Sequence, residues 1–510
     1  MSMTTLLVAG MLMTPKISFE ARAKDWRFGP VVYQIFVDRF APSASLEAKR
    51  NLYRAPRLLR DWTDLPTQGR FDDTAGCWSH EMHFWGGDLR STEAKLDYVQ
   101  KLGANVVYLL PIHDALTNHK YDATNYKVIA PEYGTEADFL SLIGSVHSKG
   151  MRIMLDGVFN HMGRSAPTFQ KAFSNPKDPR RDWFYFGKEY KNGYRGYAGV
   201  GNMPSLHLEN PSLQQYLWEK PDSVVQSALK KGVDGWRLDV AFDLGHEVLA
   251  KITRAAKRAK PESVVVGEIS GYPSDWEAAV DGVFNFFAIN TCHEMVDGKI
   301  GGGRVGRMLD TMVTDAGIEP ILRSWLLLDN HDTSRVADTI PDIKKRRLVQ
   351  LLQMTLPGSP VIYYGSELGM RGAGDPQNRA PMRWDLVNDA SPDLAWTRQL
   401  TQIRKEHPAL RYGDFRALES DRLLAFVRST DKFRDNVIVV VNPTTETVRE
   451  TFPSRIGRFQ SWGEARDVLG SPKIRSITGL LQVEVPPQSA RIYVPITDPS
   501  NGYSSYDRIR

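Results

Sequence analysis

Along residues 31–367, short β-branched and aromatic runs recur with stretches of helical period between most of them. The runs are "VVYQIFV" (31–37), "NVVYLLPI" (105–112), "RIMLDGVFN" (152–160), "GWRLDVA" (235–241), "SVVVGEI" (263–269), "GVFNFF" (282–287), "SWLLLDNHD" (324–332) and "PVIYYGSE" (360–367). A strand that reaches its neighbour over an intervening helix runs parallel to it, whereas a short hairpin reverses direction. The intervening segments include "STEAKLDYVQKL" (91–102), "GHEVLAKITRAAKRA" (245–259) and "DIKKRRLVQLLQMT" (342–355). In "TEADFLSLIGSVHSK" (135–149), Phe139, Leu140, Ile143 and Val146 share one face behind a Thr135/Asp138 cap. Between 269 and 282 there is room only for a short helix. The pattern predicts an α/β fold, a closed (β/α)8 TIM barrel, with a doubly wound parallel sheet as the competing solution.

Two segments break the rhythm. Residues 157–212, rich in Gly, Pro, Tyr and Asn, have no clean period and read as a domain inserted after the third strand. Beyond 410 the pattern becomes "LLAFVRS", "NVIVVVN", "LLQVEV" and "ARIYV", short alternating strands between turns. The expected organisation is an N-terminal segment 1–27, a barrel 28–410 interrupted by 157–212, and a C-terminal all-β domain, a β-sandwich, at 411–510.

Charge and composition exclude several functions. The net charge of +5, from 65 basic and 60 acidic residues with no long basic block, argues against a nucleic-acid partner and for a small-molecule one. Cys77 and Cys292 are too few for a disulfide framework or a cysteine-rich metal site. No apolar run reaches the roughly 18 residues of a spanning helix, so no membrane partner is expected. "TTLLVAGMLM" (4–13) followed by "ARA" (21–23) imitates a signal peptide, but no Lys or Arg precedes its core, which favours a cytoplasmic location over secretion.

In such a barrel the active site is built where the strands end, so polar residues there carry the chemistry. The third strand ends in Asp156, Asn160 and His161, the fourth in Arg237 and Asp239, the fifth in Glu268, and the seventh in Asp329, Asn330, His331 and Asp332. Arg237 and Asp239 are two residues apart on a strand and therefore face the same way, opposite Trp236, Leu238 and Val240. One reading is a structural ion pair. The other is glycosidic cleavage, which needs an ionised carboxylate to attack the sugar carbon and a protonated one to donate to the leaving oxygen. On that reading Arg237 holds Asp239 charged, Glu268, after the apolar "VVVG", is desolvated and neutral, and Asp332 aligns the sugar hydroxyls.

"DGVFNHMG", "GWRLDVAFD", "GEIS" and "LLDNHDTSR", in that order on strands three, four, five and seven, resemble the four signature regions of the α-amylase superfamily of glycoside hydrolases (family 13). "WGGDLRSTEAKLDYVQKLG", "NHKYDATNYKVIAPEYGT" and "MPSLHLENP" are similar to the neopullulanase, cyclomaltodextrinase and maltogenic amylase branch. The resemblance implies an α-glucan hydrolase that retains the α configuration, with Asp239 as nucleophile, Glu268 as acid/base and Asp332 as transition-state stabiliser. It implies that Arg237, His161 and His331 surround the same sugar, that Tyr121 stacks under it and that His119 binds its hydroxyl. The substrate class it implies is α-glucan or maltooligosaccharide, with no cofactor required for the chemistry.

Asn160 matches a calcium-ligand position of many α-amylases, which implies a structural calcium. Branch members usually carry an N-terminal β domain that helps them dimerise; the first strand here starts near residue 31, which favours a monomer. Two further departures are His207, where Asn is more frequent, and Phe242–Asp243, where Asn-Glu is. A transglycosylase or isomerase would use the same residues, and a non-catalytic carbohydrate-binding protein the same barrel. "GGGRVG" (301–306) fits a dinucleotide-binding pattern but lies after a poor strand and reads as a flexible turn. "HEMH" (80–83) lacks the spacing of a zinc helix, and "IKKRR" (343–347) reads as a solvated helix face.

Overall fold

The computed structural model describes residues 16–497 and Tyr506. All eight expected strands form: β1 (Val32–Ile35), β2 (Val106–Leu109), β3 (Arg152–Gly157), β4 (Gly235–Leu238), β5 (Val264–Gly267), β6 (Gly282–Val283), β7 (Trp325–Leu327) and β8 (Ser359–Tyr363). They pair in parallel in the order β6-β5-β4-β3-β2-β1-β8-β7. A parallel bridge between Phe284, just past β6, and Trp325 of β7 closes the ring, with the Asn285 N–H donating to the Trp325 carbonyl at 2.9 Å. The sheet is therefore a barrel and not a doubly wound open sheet. Strands β1, β2, β4, β5 and β8 are buried along their whole length, as strands covered on both faces must be.

The crossover helices follow their sequence signals with local corrections. Thr135 caps the helix Glu136–Ser148 reciprocally with Asp138, as expected. Its buried face is Phe139, Leu142, Ile143 and Val146, while Leu140 points to solvent, because 3.6-residue periodicity carries position 140 off the stripe. Residues 270–281 form turns and no helix. In the helix Ile343–Thr355 the "IKKRR" face is solvated at Lys344 and Lys345, but Arg346 is buried and donates to the Ile340 carbonyl. "TTLLVAGMLM" lies outside the described residues; "ARA" lies in the helix Phe19–Lys24, where Arg22 is buried and ion-paired with Glu319 and with Asp414 at 2.8 Å. Among the described residues no helix is long and apolar enough to cross a membrane.

Between β3 and β4 the chain leaves the barrel, held by bridges such as His161↔Ser205 and Phe184↔Leu206 around a cluster of Phe169, Phe184, Phe186 and Tyr194. The C-terminal strands are β9 (Asp414–Ala417), β10 (Leu424–Ser429), β11 (Val437–Asn442), β12 (Val448–Pro453), β13 (Glu464–Asp467), β14 (Ile474–Ile477), β15 (Leu480–Val485) and β16 (Ser489–Pro495). They are antiparallel throughout, in the order β9-β10-β11-β16-β13-β14-β15-β12. Strand alternation gives this sheet two functions. Leu424, Phe426, Val437 and Val439 join the barrel's core, whereas Ala425, Val427, Ile438 and Val440 close a second core of the C-terminal strands themselves.

The seam between the two parts explains "GGGRVG", which is not a turn but the first turns of the helix Gly302–Ala316. A Cβ on Gly302 would lie 2.4 Å from the Leu424 nitrogen and one on Gly303 1.8 Å from the Ser420 carbonyl oxygen. The glycines let helix backbone touch strand backbone. Gly303→Ala forces that contact apart and is expected to cost about 1–3 kcal/mol, read as a lowered urea midpoint with an unchanged slope.

Candidate active site

Strand register assembles the polar rim. Arg237 on β4 is paired with Asp156 on β3, and Leu238 with Gly267 on β5, so that the next residues, Asp239 and Glu268, emerge side by side from adjacent strand ends. The Asp239 N–H donates to the Gly157 carbonyl at 3.1 Å and the Glu268 N–H to the Leu238 carbonyl at 3.0 Å, which carries the ladder one residue beyond the strands. Val240 then turns left-handed (φ 49°), a costly conformation for a β-branched residue. The turn aims its N–H at Glu268 Oε2 (3.0 Å) and brings Val240 to the cleft instead of the core face shared by Trp236 and Leu238.

Arg237, fully buried, is the cation at the centre. Its Nη1 donates to both Asp156 oxygens (2.7 and 2.9 Å) and to Asp239 Oδ1 (2.9 Å), and its Nη2 lies 2.8 Å from Glu268 Oε2, an ion pair without hydrogen-bond alignment. Asp156 also accepts from the hydroxyls of Tyr108 (2.6 Å) and Tyr121 (2.9 Å). The expected division of labour between the carboxylates is altered. Burial pushes the Asp239 carboxyl well above the usual range despite the opposing guanidinium, and burial raises Asp156 as well. Glu268 is not in an apolar pocket: its side chain is 22% exposed and reaches over Arg237, because the apolar "VVVG" run ends one residue before it.

Asp332 arrives from a turn after β7. Asn330 Oδ1 accepts from the N–H groups of Asp332 (2.8 Å) and Thr333 (3.0 Å), and Arg379, in the loop after β8, donates to the His331 carbonyl (2.8 Å) and to Asp332 Oδ1 (3.3 Å). Gln34 Nε2 donates to His331 Nδ1 (3.1 Å), which leaves the imidazole proton on Nε2, facing Tyr121 Oη (2.5 Å) and Asp332 Oδ2 (3.0 Å). Burial drives the His331 pKa well below its ordinary value and that of Tyr121 well above, so both stay neutral while passing hydrogen bonds from Gln34 to Asp156. His119 accepts the Tyr121 N–H at Nδ1 (3.1 Å) and turns Nε2 to Glu81 (3.4 Å). His161 is buried, its pKa pushed down to about 3 by burial, with Nε2 unpartnered and its ring stacked on Tyr197.

These groups line one cleft of about 330 Å³. Asp239, Val240 and Glu268 form one wall, and Glu81, His119, Asp332, Asp375 and Arg379 also line it, with Tyr121, His161, Tyr197 and Met203. Of the expected site residues, Asp239, Glu268, Asp332, His119, Tyr121 and His161 face the cleft, and Arg237 and His331 lie beneath it. Asn160 does not line the cleft: its amide faces His161 Nδ1 at 3.5 Å, and among the described residues no group of three or more His, Cys, Asp or Glu is placed to hold a metal. His207 packs on Tyr185, away from the cleft lining. Sequence reasoning missed Glu81, Tyr197, Met203, Asp375 and Arg379; the rule that post-strand loops build the site pointed at the stretch after β8, and Glu81 sits in the "HEMH" dismissed as a zinc motif.

The α-amylase catalytic-domain family profile matches residues 34–392. The chain belongs to the α-amylase family of glycoside hydrolases. A cyclomaltodextrinase from Bacillus sp. is 33% identical over 435 residues, 82% of this chain and 73% of that protein. Neopullulanase 2 from Thermoactinomyces vulgaris is 31% identical, covering 92% and 78%. Among solved structures, the cyclic α-maltosyl-(1→6)-maltose hydrolase of Arthrobacter globiformis superposes with a TM-score of 0.77 at 27% identity, covering 92% of this α-amylase-family chain and 99% of that one. In this chain carboxylates, imidazoles and the guanidinium groups of Arg237 and Arg379 gather on one rim of the barrel.

Proposed function

We propose that this α-glucan hydrolase cleaves α-1,4 glucosidic bonds, and α-1,6 bonds where a branch presents them, in maltooligosaccharides, starch, pullulan or cyclodextrins, with retention of configuration. The observation that carries the reading is the register that sets Asp239 beside Glu268 over one shared guanidinium, with Asp332 on the same cleft. Asp239 attacks the anomeric carbon and forms a glycosyl ester; Glu268 gives its proton to the leaving oxygen and then takes one from the water that hydrolyses the ester. Asp332 and His119 bind ring hydroxyls, His161 Nε2 offers an unpartnered atom to another, and the Tyr121 ring forms the floor under the sugar.

The carboxylates of Asp156, Asp239 and Glu268 share the Arg237 guanidinium, while Asp332, paired with Arg379, lines the same cleft with Glu81 and Asp375. Burial raises the Asp239 and Asp156 carboxyls, so that pair retains a proton at a pH where exposed carboxylates would not. Catalysis needs a proton on Glu268 and the charge on Asp239, and the Arg237 guanidinium contacts both carboxylates. Family members need no cofactor for this chemistry.

The test is a product time course on maltoheptaose, β-cyclodextrin and pullulan, with the first-formed anomer read by NMR and released reducing sugar compared with redistributed oligosaccharide. The expected result is an α-anomer and net hydrolysis, lost by roughly 10²–10⁴-fold in Glu268→Gln. A β-anomer as first product, or full activity in that variant, would overturn the assignment.

A further inference from the structure

We propose that the hairpin Phe71–Asp72/Cys77–Trp78 is a wall of the glycone side of the cleft, on which glucose units beyond the first stack. The inference rests on the carboxylate roles assigned above. Glu268 protonates the leaving oxygen, so the departing part of the substrate runs off past Glu268. The part that stays attached to the enzyme therefore extends across the cleft, toward Glu81, Asp375 and Arg379.

The hairpin adjoins that side through short contacts. The Trp78 N–H donates to Glu81 Oε2 at 2.6 Å, so Trp78 begins within one carboxylate of the cleft lining. Its ring stacks on His80 (centroids 6.1 Å apart, 26° between planes), and His80, whose Nδ1 accepts the Gly69 N–H at 3.0 Å, turns Nε2 to Asp375 at 3.8 Å. Phe71 meets Trp78 edge-on at 5.8 Å. The two rings are 49% and 43% exposed and touch one another, so they present a contiguous aromatic patch beside the cleft. A pyranose ring, with apolar C–H faces and polar edges, is the ligand such a pair fits.

The tip of the hairpin is fixed at both ends. Arg164, from the segment after β3, donates to the Thr74 carbonyl, and a Cβ at Gly76 (φ 73°) would lie 3.4 Å from the Asn202 nitrogen. Asn202 is 3% exposed, and both polar atoms of its amide lack a partner, beside the cleft-lining Met203. An aromatic pair across the two strands and an unpaired amide beside the tip are what a chain of sugars needs, a stacking surface with hydrogen bonds at its edge.

The test is kcat/KM on maltotriose and maltoheptaose for the wild type, Trp78→Ala, Phe71→Ala and Trp78→Phe, with Asp239→Asn as the inactive control. We expect the advantage of maltoheptaose over maltotriose to shrink on the order of 5- to 10-fold in both alanine variants, in KM and not in kcat, and to be largely kept in Trp78→Phe. An unchanged chain-length ratio in both alanine variants would overturn the hairpin's role while leaving the catalytic assignment intact. Full turnover in Asp239→Asn would instead sink the reading on which it rests.

Discussion

Asp239→Asn is expected to abolish turnover, by on the order of 10⁴-fold or more, and at the same time to raise the melting temperature. The loss follows from removing the attacking oxygen, since the amide cannot form the glycosyl ester. The gain follows from burial, which pushes the Asp239 carboxyl well above 3.8 in the folded protein despite Arg237. A carboxyl whose folded pKa lies above its unfolded one adds no penalty at pH below 3.8, and its ionisation opposes folding increasingly as the pH climbs through the interval between the two. The asparagine variant escapes that penalty, so the gap in melting temperature between variant and wild type should widen from pH 4 to pH 7. Calorimetry at the two pH values checks it. Equal melting temperatures at both, or a lower one for the variant at neutral pH, would show that the guanidinium outweighs burial.

Arg237→Leu should have the opposite effect on stability and the same effect on activity. One fully buried guanidinium contacts Asp156, Asp239 and Glu268, and among the described residues no other cation pairs with any of the three. Removing it leaves carboxylates in a low-dielectric barrel mouth, a loss of about 3–5 kcal/mol in the range seen when one partner of a buried pair is deleted. Neutralising them by protonation would cost Asp239 its nucleophilic charge, so kcat should fall even in the fraction that folds. Urea unfolding reports the first effect and single-turnover kinetics on maltoheptaose the second. A double variant Arg237→Leu/Asp156→Asn should recover part of the stability and none of the activity, which separates the two roles of the arginine.

The sequence carried the barrel because both periods it uses are local. Alternation in "GWRLDVA" and the 3.6-residue stripe behind Thr135 are set within a few residues, and all eight strands formed where those runs lie. Of the four C-terminal strands not apparent from the sequence, Asp414–Ala417, Glu464–Asp467 and Ile474–Ile477 span only four residues, and these and Val448–Pro453 mix charged with apolar residues, so no window held enough alternation to stand out. "GGGRVG" was misread for the opposite reason. Glycines weaken a helix locally, and what recommends them at 302 and 303 is the backbone of residues 420–424, more than a hundred positions away.

Which charged residues gather at one rim was legible, because a charged residue at the end of an apolar strand has few structural excuses. Their electrostatic states were not. Burial and the direction of approach decide whether Asp239 or Glu268 is the more desolvated, and both depend on strand register, on the left-handed turn at Val240, and on loops that carry Glu81, Asp375 and Arg379 to the cleft from opposite ends of the barrel sequence. Sequence alone determined the eight parallel strands and the ionisable groups at their ends, since periodicity and side-chain chemistry are properties of neighbouring residues. Tertiary structure alone decided how those groups share one guanidinium and which wall of the cleft each occupies, since Coulomb energy and desolvation are set by distances through space.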